Sequence, residues 1–421
     1  MTKWLSQTRL DSVILFLALL LANLRATIFV FLHPDVSTLL GPAWIEIMLW
    51  FLIAVTTVYN LARSGEMDEF LSMWRRNWLP GLFILLALLS TLWSMGPPTS
   101  LFSSLELLFA ALVASYFGMR LAPEKLMDAL FWFGALLFVL SIALVFGAPP
   151  TGTMYWAPFN GAWRGLYWHR NHLASVAAFL SIIYLCRMFL AFRSRNASGI
   201  LDSALYLLSL VILYFARSAT GYVVFLVLHV AGFVARAWLQ LERRLRSGHY
   251  ILILMGSVLA AIFLLFNLDF VFGLFGRDTS MTGRVGLWTN LIELGSRRPW
   301  LGHGFGAVWT LDSFREEIRQ LAGWPSQPLI ADNGLLDIYL HLGLLGVVIF
   351  SGGLILSTAR SLQYAVRQKS LAAFFPLLVM IYAVFGNITF SLFAETEVFV
   401  WFLIIASLFI ATPRSGQAIT L

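Results

Sequence analysis

Residues 276–288, GRDTSMTGRVGLW, place two arginines and a carboxylate among glycines in a chain whose residues are only 12% charged. The arginines are Arg277 and Arg284, and the acid is Asp278. Guanidinium groups make planar, bidentate and permanently charged bonds to phosphate oxygens. The segment therefore favours binding of a phosphate or diphosphate, which gains charge when it leaves in a group-transfer reaction and is then stabilised most by fixed cations.

Two upstream segments add polar side chains of the same kind. The first, APFNGAWRGLYWHRNHLAS, contains Arg164, His169, Arg170, Asn171 and His172, and the second, RSATGY, contains Arg217. Basic residues beside aromatic ones also occur as membrane-interface anchors. Because four side chains of the first segment are cationic or titratable within the nine positions 164–172, we interpret these residues as a substrate-binding cluster. We interpret Ser218 and Thr220 as turn residues.

Three segments follow GRDTSMTGRVGLW: RRPWLGHGFGAVW, DSFREEIRQLAG and ADNGLLDIYLHLGLLG. We predict that GHGFG is a turn, with His303 as a candidate ligand, because no strand precedes it. Residues Val285, Trp288, Leu291 and Ile292 have helical spacing and predict a short amphipathic helix in the interface. The run REEIRQL predicts an ordinary solvated helix, with Glu316 and Arg319 one turn apart.

The elements that position these residues are membrane-spanning helices. The chain has 421 residues, is 60% hydrophobic and has a mean hydropathy of +0.83, whereas a soluble domain is about half apolar. Its apolar runs do not alternate as the strands of a membrane barrel do, so the fold class is all-α and polytopic. We predict twelve spans, at 13–32, 43–62, 79–95, 101–119, 128–147, 173–192, 201–216, 221–239, 250–274, 335–358, 371–390 and 394–412.

The distribution of basic residues sets the orientation. The N-terminus, the even-numbered loops and the C-terminal tail hold 18 of the 28 lysines and arginines, while the odd-numbered loops hold nine, six of them in the long loop 275–332. Because cytoplasmic loops are enriched in basic residues, both termini are predicted to be cytoplasmic and the polar segments to face outward. Arg25 and Glu106 are predicted to lie within spans, where charges face a polar cavity or a partner.

Several chemistries are disfavoured by what the sequence lacks. It contains no HExxH, DxD or Cys/His spacing typical of metal sites, and no GxSxG nucleophile motif. We therefore expect no metal and no cofactor. The net charge of +7 is explained by cationic cytoplasmic loops, so we expect no nucleic-acid partner.

The sequence resembles the O-antigen ligase and polymerase family, especially its exopolysaccharide-polymerase members. GRDTSMTGRVGLW resembles the arginine- and glycine-rich start of that family's large periplasmic loop, and RRPWLGHGFGAVW resembles its Pro–x–x–Gly–x–Gly segment. NGLLDIYLHLGLLG is similar to its Asn, nine residues, then Gly–x–x–Gly, and WHRNHLA to its histidine- and asparagine-bearing segment. The resemblance covers roughly residues 160–360.

The resemblance implies a GT-C-like, metal-independent, inverting glycosyltransferase of the bacterial inner membrane. It implies a glycan on undecaprenyl pyrophosphate as donor, a glycan or lipid as acceptor, and a chain-length regulator and a flippase as further partners. Arg277 and Arg284 would hold the pyrophosphate, and Asn333 would shape the acceptor side. Where ligases of the family carry His–Asn, this chain has Asp332–Asn333, so Asp332, or alternatively His303 or His169, would act as base on the acceptor hydroxyl.

This departure favours a polymerase that joins lipid-linked repeat units into exopolysaccharide or O-antigen. The alternatives are a ligase that moves finished polymer onto a lipid A core or another acceptor and, in a different class, a transporter of lipid-linked sugar. We divide the chain into N-terminal helices over 1–150, a ligase/polymerase-like core over 151–360 that includes the loop 275–332, and C-terminal helices over 361–421.

Overall fold

The computed structural model describes residues 2–23, 44–155, 159–193, 198–241, 284–322, 330–388, 390–392 and 398–414. In this part of the chain the secondary structure is helical, and its single β-bridge pairs Thr153 with Trp163. The described helices of ten residues or more are α1 (Thr2–Ala22), α2 (Trp44–Ser64), α3 (Met67–Arg76), α4 (Trp78–Leu89), α5 (Pro97–Arg120), α6 (Pro123–Gly147), α7 (Arg170–Arg193), α8 (Ser198–Ala216), α9 (Ala219–Leu241), α10 (Arg284–Gly295), α11 (Asp312–Ala322), α12 (Gly334–Gln368), α13 (Phe375–Gly386) and α14 (Phe399–Ile410).

Seven of the described helices are long and apolar enough to cross a membrane, namely α2, α5, α6, α7, α8, α9 and α12. Four shorter apolar helices, Asp11–Ala22, Trp78–Leu92, Ala372–Gly386 and Phe399–Ile410, also fall on predicted spans. The predicted span 250–274 lies outside the described residues. The all-α polytopic class is confirmed, while the total of twelve spans and the GT-C-like arrangement stay predictions.

Helices α7 and α14 form the centre of the bundle. About four-fifths of the apolar window of α7 is buried, and every residue of α14 is buried, as expected for helices that are apolar on all sides. Helix α7 packs against α8 and α9, while α14 packs against α5 and α13. The Trp401 indole N–H donates to the Leu107 carbonyl over 3.1 Å and ties α14 to α5.

Charged side chains from the predicted cytoplasmic loops meet at one end of the bundle, which we call the terminal end. Arg120 pairs with Glu66 at 2.6 Å and with Asp11 at 3.6 Å. At the same end Arg187 pairs with Asp202 at 2.9 Å, and contacts from Arg76 to Pro413 and from Arg414 to Met119 bring in the C-terminal segment. The loops grouped by their basic residues therefore lie together in space.

The predicted outward loops meet at the opposite end, which we call the site end. The Trp93 indole N–H donates to the Leu301 carbonyl over 3.0 Å, which joins the loop before α5 to the segment after α10. The Trp163 N–H donates to the Phe215 carbonyl over 3.0 Å, which joins the loop before α7 to the end of α8. The alternation of the predicted loops between two ends is thus reproduced in the described part of the fold.

Helices α10 and α11 build a small core of their own at the site end. It contains Leu287, Leu291 and Leu294 of α10 and Phe314 and Ile318 of α11. The predicted helix around Trp288 is confirmed, but its predicted apolar face was partly wrong, since Ile292 is 56% exposed. The reason is that this helix packs on α11 and α12 through the 287–291–294 stripe.

Residues 298–304, which we call the plug, close a break in α12. Gly343 has φ +66° and ψ −164°, so the helical hydrogen bonds are interrupted there. The plug replaces them: the His303 and Gly304 N–H groups donate to the Leu340 and His341 carbonyls, both over 2.9 Å. From the other side of the break, the Leu344 N–H donates to the Pro299 carbonyl over 2.8 Å.

Glycines permit this close approach. Gly302 has φ +64°, and a Cβ there would lie 2.5 Å from the backbone of His341. A Cβ at Gly343 would lie 2.3 Å from the carbonyl carbon of Trp300. The Pro–x–x–Gly–x–Gly and Gly–x–x–Gly segments therefore form one interlocked backbone unit, and the prediction that GHGFG is a turn is confirmed.

Candidate active site at the outward loops

Most of the predicted site residues that the structure describes fall into two groups at the site end, while His303 lies apart in the plug. The first group precedes α7 and α9, and the second surrounds the start of α12. Arg277 lies outside the described residues. Arg284 begins α10, but its side chain also lies outside what the structure describes, as does Arg25.

The Arg164 side chain is buried and holds the loop before α7 together. Its guanidinium donates to the Thr151 carbonyl over 2.8 Å, to the Trp168 carbonyl over 3.3 Å and to the Pro150 carbonyl over 3.4 Å. Burial lowers the pKa of this guanidinium, and the nearby Tyr155 opposes that effect. The side chain therefore organises the loop and contributes a fixed positive charge beneath it.

Arg170 links the start of α7 to the turn between α8 and α9. Its guanidinium donates to the Ala216 carbonyl over 3.3 Å and to the Arg217 carbonyl, and it stacks over the Phe159 ring at 4.0 Å. The side chain is almost completely buried. Arg170 thus holds the backbone of Arg217 in place.

Arg217 is exposed and adopts φ +50°. Residues other than glycine adopt this left-handed conformation at a cost of about 1–2 kcal/mol. Only Arg217 and Ser218 separate α8 from α9. The Ser218 hydroxyl caps α9 by accepting the Gly221 N–H over 3.2 Å. A cation presented by a strained backbone is a feature that clusters at functional sites.

His169 and Asn171 join the starts of α7 and α9. The His169 Nδ1 accepts the Asn171 N–H over 3.2 Å, and the Ser218 hydroxyl donates to the Asn171 side-chain oxygen over 2.9 Å. Two helix N-termini consequently lie side by side with Arg217 between them. Helix N-termini carry partial positive charge and favour anions.

The segment between α13 and α14 connects this group to α12. The Phe390 ring stacks on the His169 ring, with centroids 6.2 Å apart, and makes an edge contact with His172 at 5.5 Å. The next residue, Ser391, accepts the Asn333 N–H over 3.0 Å. Sequence reasoning missed Phe390 and Ser391, because an apolar span boundary carries no chemical signature.

Asn333 is the N-cap of α12. Its side-chain oxygen accepts the Leu335 and Leu336 N–H groups, both over 3.1 Å, which is the usual work of an asparagine at this position. The preceding residue, Asp332, has φ +53° and is half-buried. The second predicted group therefore also presents a polar side chain from a left-handed backbone.

Sequence reasoning also missed Asp337, which lies in the first helical turn of α12 and supports the backbone around Asp332. Its fully buried carboxylate accepts the Trp309 indole N–H over 2.7 Å and the Ala331 N–H over 3.2 Å. The second contact fixes the residue next to Asp332. An acid in the first turn of a helix is the signal that could have suggested this role.

His303 lies in the plug, apart from the two groups, and none of its described contacts reaches them. Its Nδ1 lies 3.2 Å from the Leu340 carbonyl, and its ring packs near Phe314. Burial lowers the pKa of this histidine below its usual value. Its described contacts are those of a neutral structural side chain at the helix break.

The comparisons with known proteins agree with this architecture. The O-antigen ligase family model matches residues 204–351, from α8 into α12. The family resemblance is confirmed. The exopolysaccharide production protein ExoQ of Rhizobium meliloti (strain 1021) is 26% identical over 242 residues, which cover 54% of this chain and 51% of that protein. The chain therefore spans about half the length of the curated relative it matches.

These findings describe a multi-pass bacterial membrane protein with an O-antigen ligase/polymerase-like core and a likeness to a protein of exopolysaccharide production. The matched range contains Arg217, His303, Asp332 and Asn333. The loop before α7 and the Phe390–Ser391 segment lie outside it. The site end is therefore assembled from the matched core together with elements that flank it on both sides.

Proposed function

We propose that this protein is a glycosyltransferase that polymerises undecaprenyl-pyrophosphate-linked repeat units at the outer face of the bacterial inner membrane. The observation that carries the proposal is a series of contacts between the two groups. Arg170 and Asn171 bind the Arg217–Ser218 turn, His169 beside them contacts Phe390, and the neighbouring Ser391 binds Asn333, which follows Asp332. These contacts link a cationic, anion-favouring group to a turn that carries a carboxylate. The family match and the likeness to an exopolysaccharide production protein support the same reading.

The cationic group suits the donor. In the proposed arrangement, Arg217, together with Arg277 and Arg284, holds the diphosphate beside the starts of α7 and α9. Fixed cations stabilise a leaving diphosphate most in the transition state, and losing one such contact costs on the order of 3 kcal/mol in the barrier. Arg164 and Arg170 support this group as buried positive charges that hold its backbone.

The carboxylate suits the acceptor. In the proposed step, Asp332 accepts the proton of an acceptor hydroxyl while that oxygen attacks the anomeric carbon. The bond from this carbon to the diphosphate breaks, and the lipid diphosphate leaves with the electron pair, so the anomeric configuration inverts. No metal or cofactor is part of this scheme, and Asn333 lies beside the base as the cap of α12.

The proposal includes twelve spans in a GT-C-like arrangement, with both termini in the cytoplasm and the site end in the periplasm. The grouping of basic loops at the terminal end supports this orientation. A flippase that delivers the donor and a regulator of chain length would be partners.

A ligase that transfers finished polymer to a lipid acceptor is the second candidate. The observation that favours it is the description of the matching family model, which is that of O-antigen ligase. The two reactions share the donor and the leaving group, and they differ in the acceptor.

Reconstitution in liposomes with a defined lipid-linked repeat unit tests the proposal. A ladder of products from donor alone supports the polymerase, a single product that needs an added lipid acceptor supports the ligase, and movement of donor without bond formation supports a transporter. Asp332→Asn and Arg217→Gln should abolish the ladder. The matched control is Arg319→Gln, because Arg319 is also in the outward loop but pairs with Glu316 at 2.6 Å.

A further inference from the structure

A short segment between α13 and α14 contacts both groups of the candidate active site. We call its described residues, 387, 388 and 390–392, the connector. Phe390 stacks on His169 of the cationic group, with ring centroids 6.2 Å apart, and Ser391 accepts the Asn333 N–H at the start of α12 over 3.0 Å. Phe390 and Ser391 are fully buried. The conformation of the connector therefore affects how far apart the two groups are held.

Asn387 fixes that conformation with both ends of its side-chain amide. The amide N–H donates to the Ala383 carbonyl in the last turn of α13 over 2.7 Å, and the amide oxygen accepts the Leu392 N–H over 2.8 Å. The first bond anchors the side chain to a helix, and the second closes the connector around it. Because an amide supplies a donor and an acceptor together, it can make both bonds, whereas a carboxylate cannot. The side chain is only 4% exposed, so bulk water does not replace a lost partner.

The same residue contacts the start of α12. The Asn387 carbonyl accepts the Gly334 N–H over 3.0 Å. A Cβ built on Gly334 would lie 2.8 Å from the Asn387 Cγ and closer still to the side-chain oxygen, so the packing of Asn387 requires a glycine there. Gly334 follows Asn333, whose N–H is bound by Ser391. The connector therefore holds two consecutive residues of α12, directly after Asp332.

We propose that Asn387 is a positioning residue for glycosyl transfer, which sets the separation between the cationic group and the turn that carries Asp332. This inference rests on the proposed function. Asn387 acts through Phe390 on one side and through Ser391 on the other, so that a diphosphate bound by the cationic group faces an acceptor hydroxyl at Asp332. Reacting groups must be held close and aligned, and a misplacement of about 1 Å can cost about a hundredfold in rate.

Kinetics of the full-length protein reconstituted with the lipid-linked repeat unit test the proposal. Asn387→Ala loses both side-chain hydrogen bonds and should lower kcat by about ten- to a hundredfold. Binding of undecaprenyl pyrophosphate, which carries the diphosphate but no glycan, should stay unchanged, because Arg170 holds the Arg217 backbone independently of the connector. Asn387→Asp should be impaired as well, since a carboxylate oxygen would face the Ala383 carbonyl.

Asn77→Ala is the matched control. Asn77 directly follows α3 as Asn387 follows α13, it is fully buried, and its amide also donates to the carbonyl four residues earlier, that of Met73, over 2.9 Å. It lies at the terminal end, where the amide also binds the Thr412 hydroxyl. Asn77→Ala should lower the thermal unfolding temperature about as much as Asn387→Ala does, but it should leave kcat unchanged.

A double-mutant cycle with Gly334→Ala tests the contact itself. In the wild type the added methyl group collides with the Asn387 side chain and should lower kcat. In Asn387→Ala the two closest atoms are absent, so adding Gly334→Ala should lower kcat little further, and the two effects should not multiply.

Three results would overturn the positioning role while the wild type still makes the ladder: unchanged kcat in Asn387→Ala, an equal loss of kcat in Asn77→Ala, or effects of Asn387→Ala and Gly334→Ala that multiply. Loss of undecaprenyl pyrophosphate binding in Asn387→Ala that matches the loss of kcat would also overturn it, because the residue would then serve binding. A wild-type protein that forms no glycosidic bond would overturn both this role and the proposed function.

Discussion

Replacing Gly302 by alanine should release the plug from the break in α12. The substitution adds one methyl group to a backbone with φ +64°, at a point where the Cβ would lie 2.5 Å from the carbonyl carbon and oxygen of His341. These atoms belong to the helix backbone and cannot rotate away. The plug must therefore move as a unit.

The size of the effect follows from the contacts that would be lost. Four backbone hydrogen bonds join the plug to α12: from His303 and Gly304 to Leu340 and His341, and from Leu344 and Leu345 to Pro299 and Trp300. At about 1 kcal/mol each, their loss costs about 4 kcal/mol. The left-handed conformation adds about 1–2 kcal/mol for alanine.

Gly161→Ala provides a matched control. Gly161 has φ +78°, but a Cβ there would meet no atom within 4 Å. It should therefore cost only the conformational 1–2 kcal/mol and leave the plug unchanged.

Hydrogen–deuterium exchange of the plug amides measures the difference. A loss of about 4 kcal/mol corresponds to exchange faster by about a thousandfold at His303 and Gly304, since each 1.4 kcal/mol is a factor of ten. Exchange in Gly302→Ala that matches the wild type, or that matches Gly161→Ala, would refute the idea that the plug is held by this close approach.

Three further outcomes are expected. Trp309→Phe removes a donor from the buried Asp337 carboxylate and should cost about 1–3 kcal/mol, visible as faster exchange at Ala331, while an unchanged rate would contradict the proposed support. Arg217→Gly relieves a strained φ, but it costs about 0.5–1 kcal/mol because glycine loses more chain entropy on folding. Thermal stability should therefore stay nearly constant while glycosyl transfer is lost. A destabilised protein would indicate a structural role for Arg217. Burial lowers the pKa of His303 below its usual value of about 6.5, so the unfolded state binds the proton first as pH falls. Stability should therefore decline below about pH 6.5, and less steeply in His303→Asn.

Most of the fold could be predicted from the sequence, because membrane spans carry a strong one-dimensional signal. Apolar runs of bilayer length predicted the helices, and sorting the basic residues by loop predicted which loops would lie together. The contacts of Arg120 with Asp11 and Glu66 bear out that grouping. The face of α10 was harder to predict, because its partner α11 is a polar helix whose packing role is not evident from composition.

The candidate site was predicted only in part, for a physical reason. A cluster of arginines in sequence indicates charge, but it does not indicate which oxygens the guanidinium groups meet. Arg164 donates to carbonyls 13 and 14 residues earlier in the chain, and Arg170 to carbonyls 46 and 47 residues later. Such partners are set by the path of the backbone in three dimensions, so no local pattern reveals them.

The same contacts change how the arginine cluster is understood. Arg170 binds the carbonyl of Arg217, while Asp337 and Ser391 bind the N–H groups on either side of Asp332. Arg217 and Asp332 are two of the three described residues other than glycine with positive φ, the third being Lys369 beyond the end of α12. Buried polar groups thus maintain two strained turns, each carrying a side chain that is not fully buried. A preorganised active site requires this arrangement, in which buried polar groups hold the backbone and the strained turns present accessible side chains.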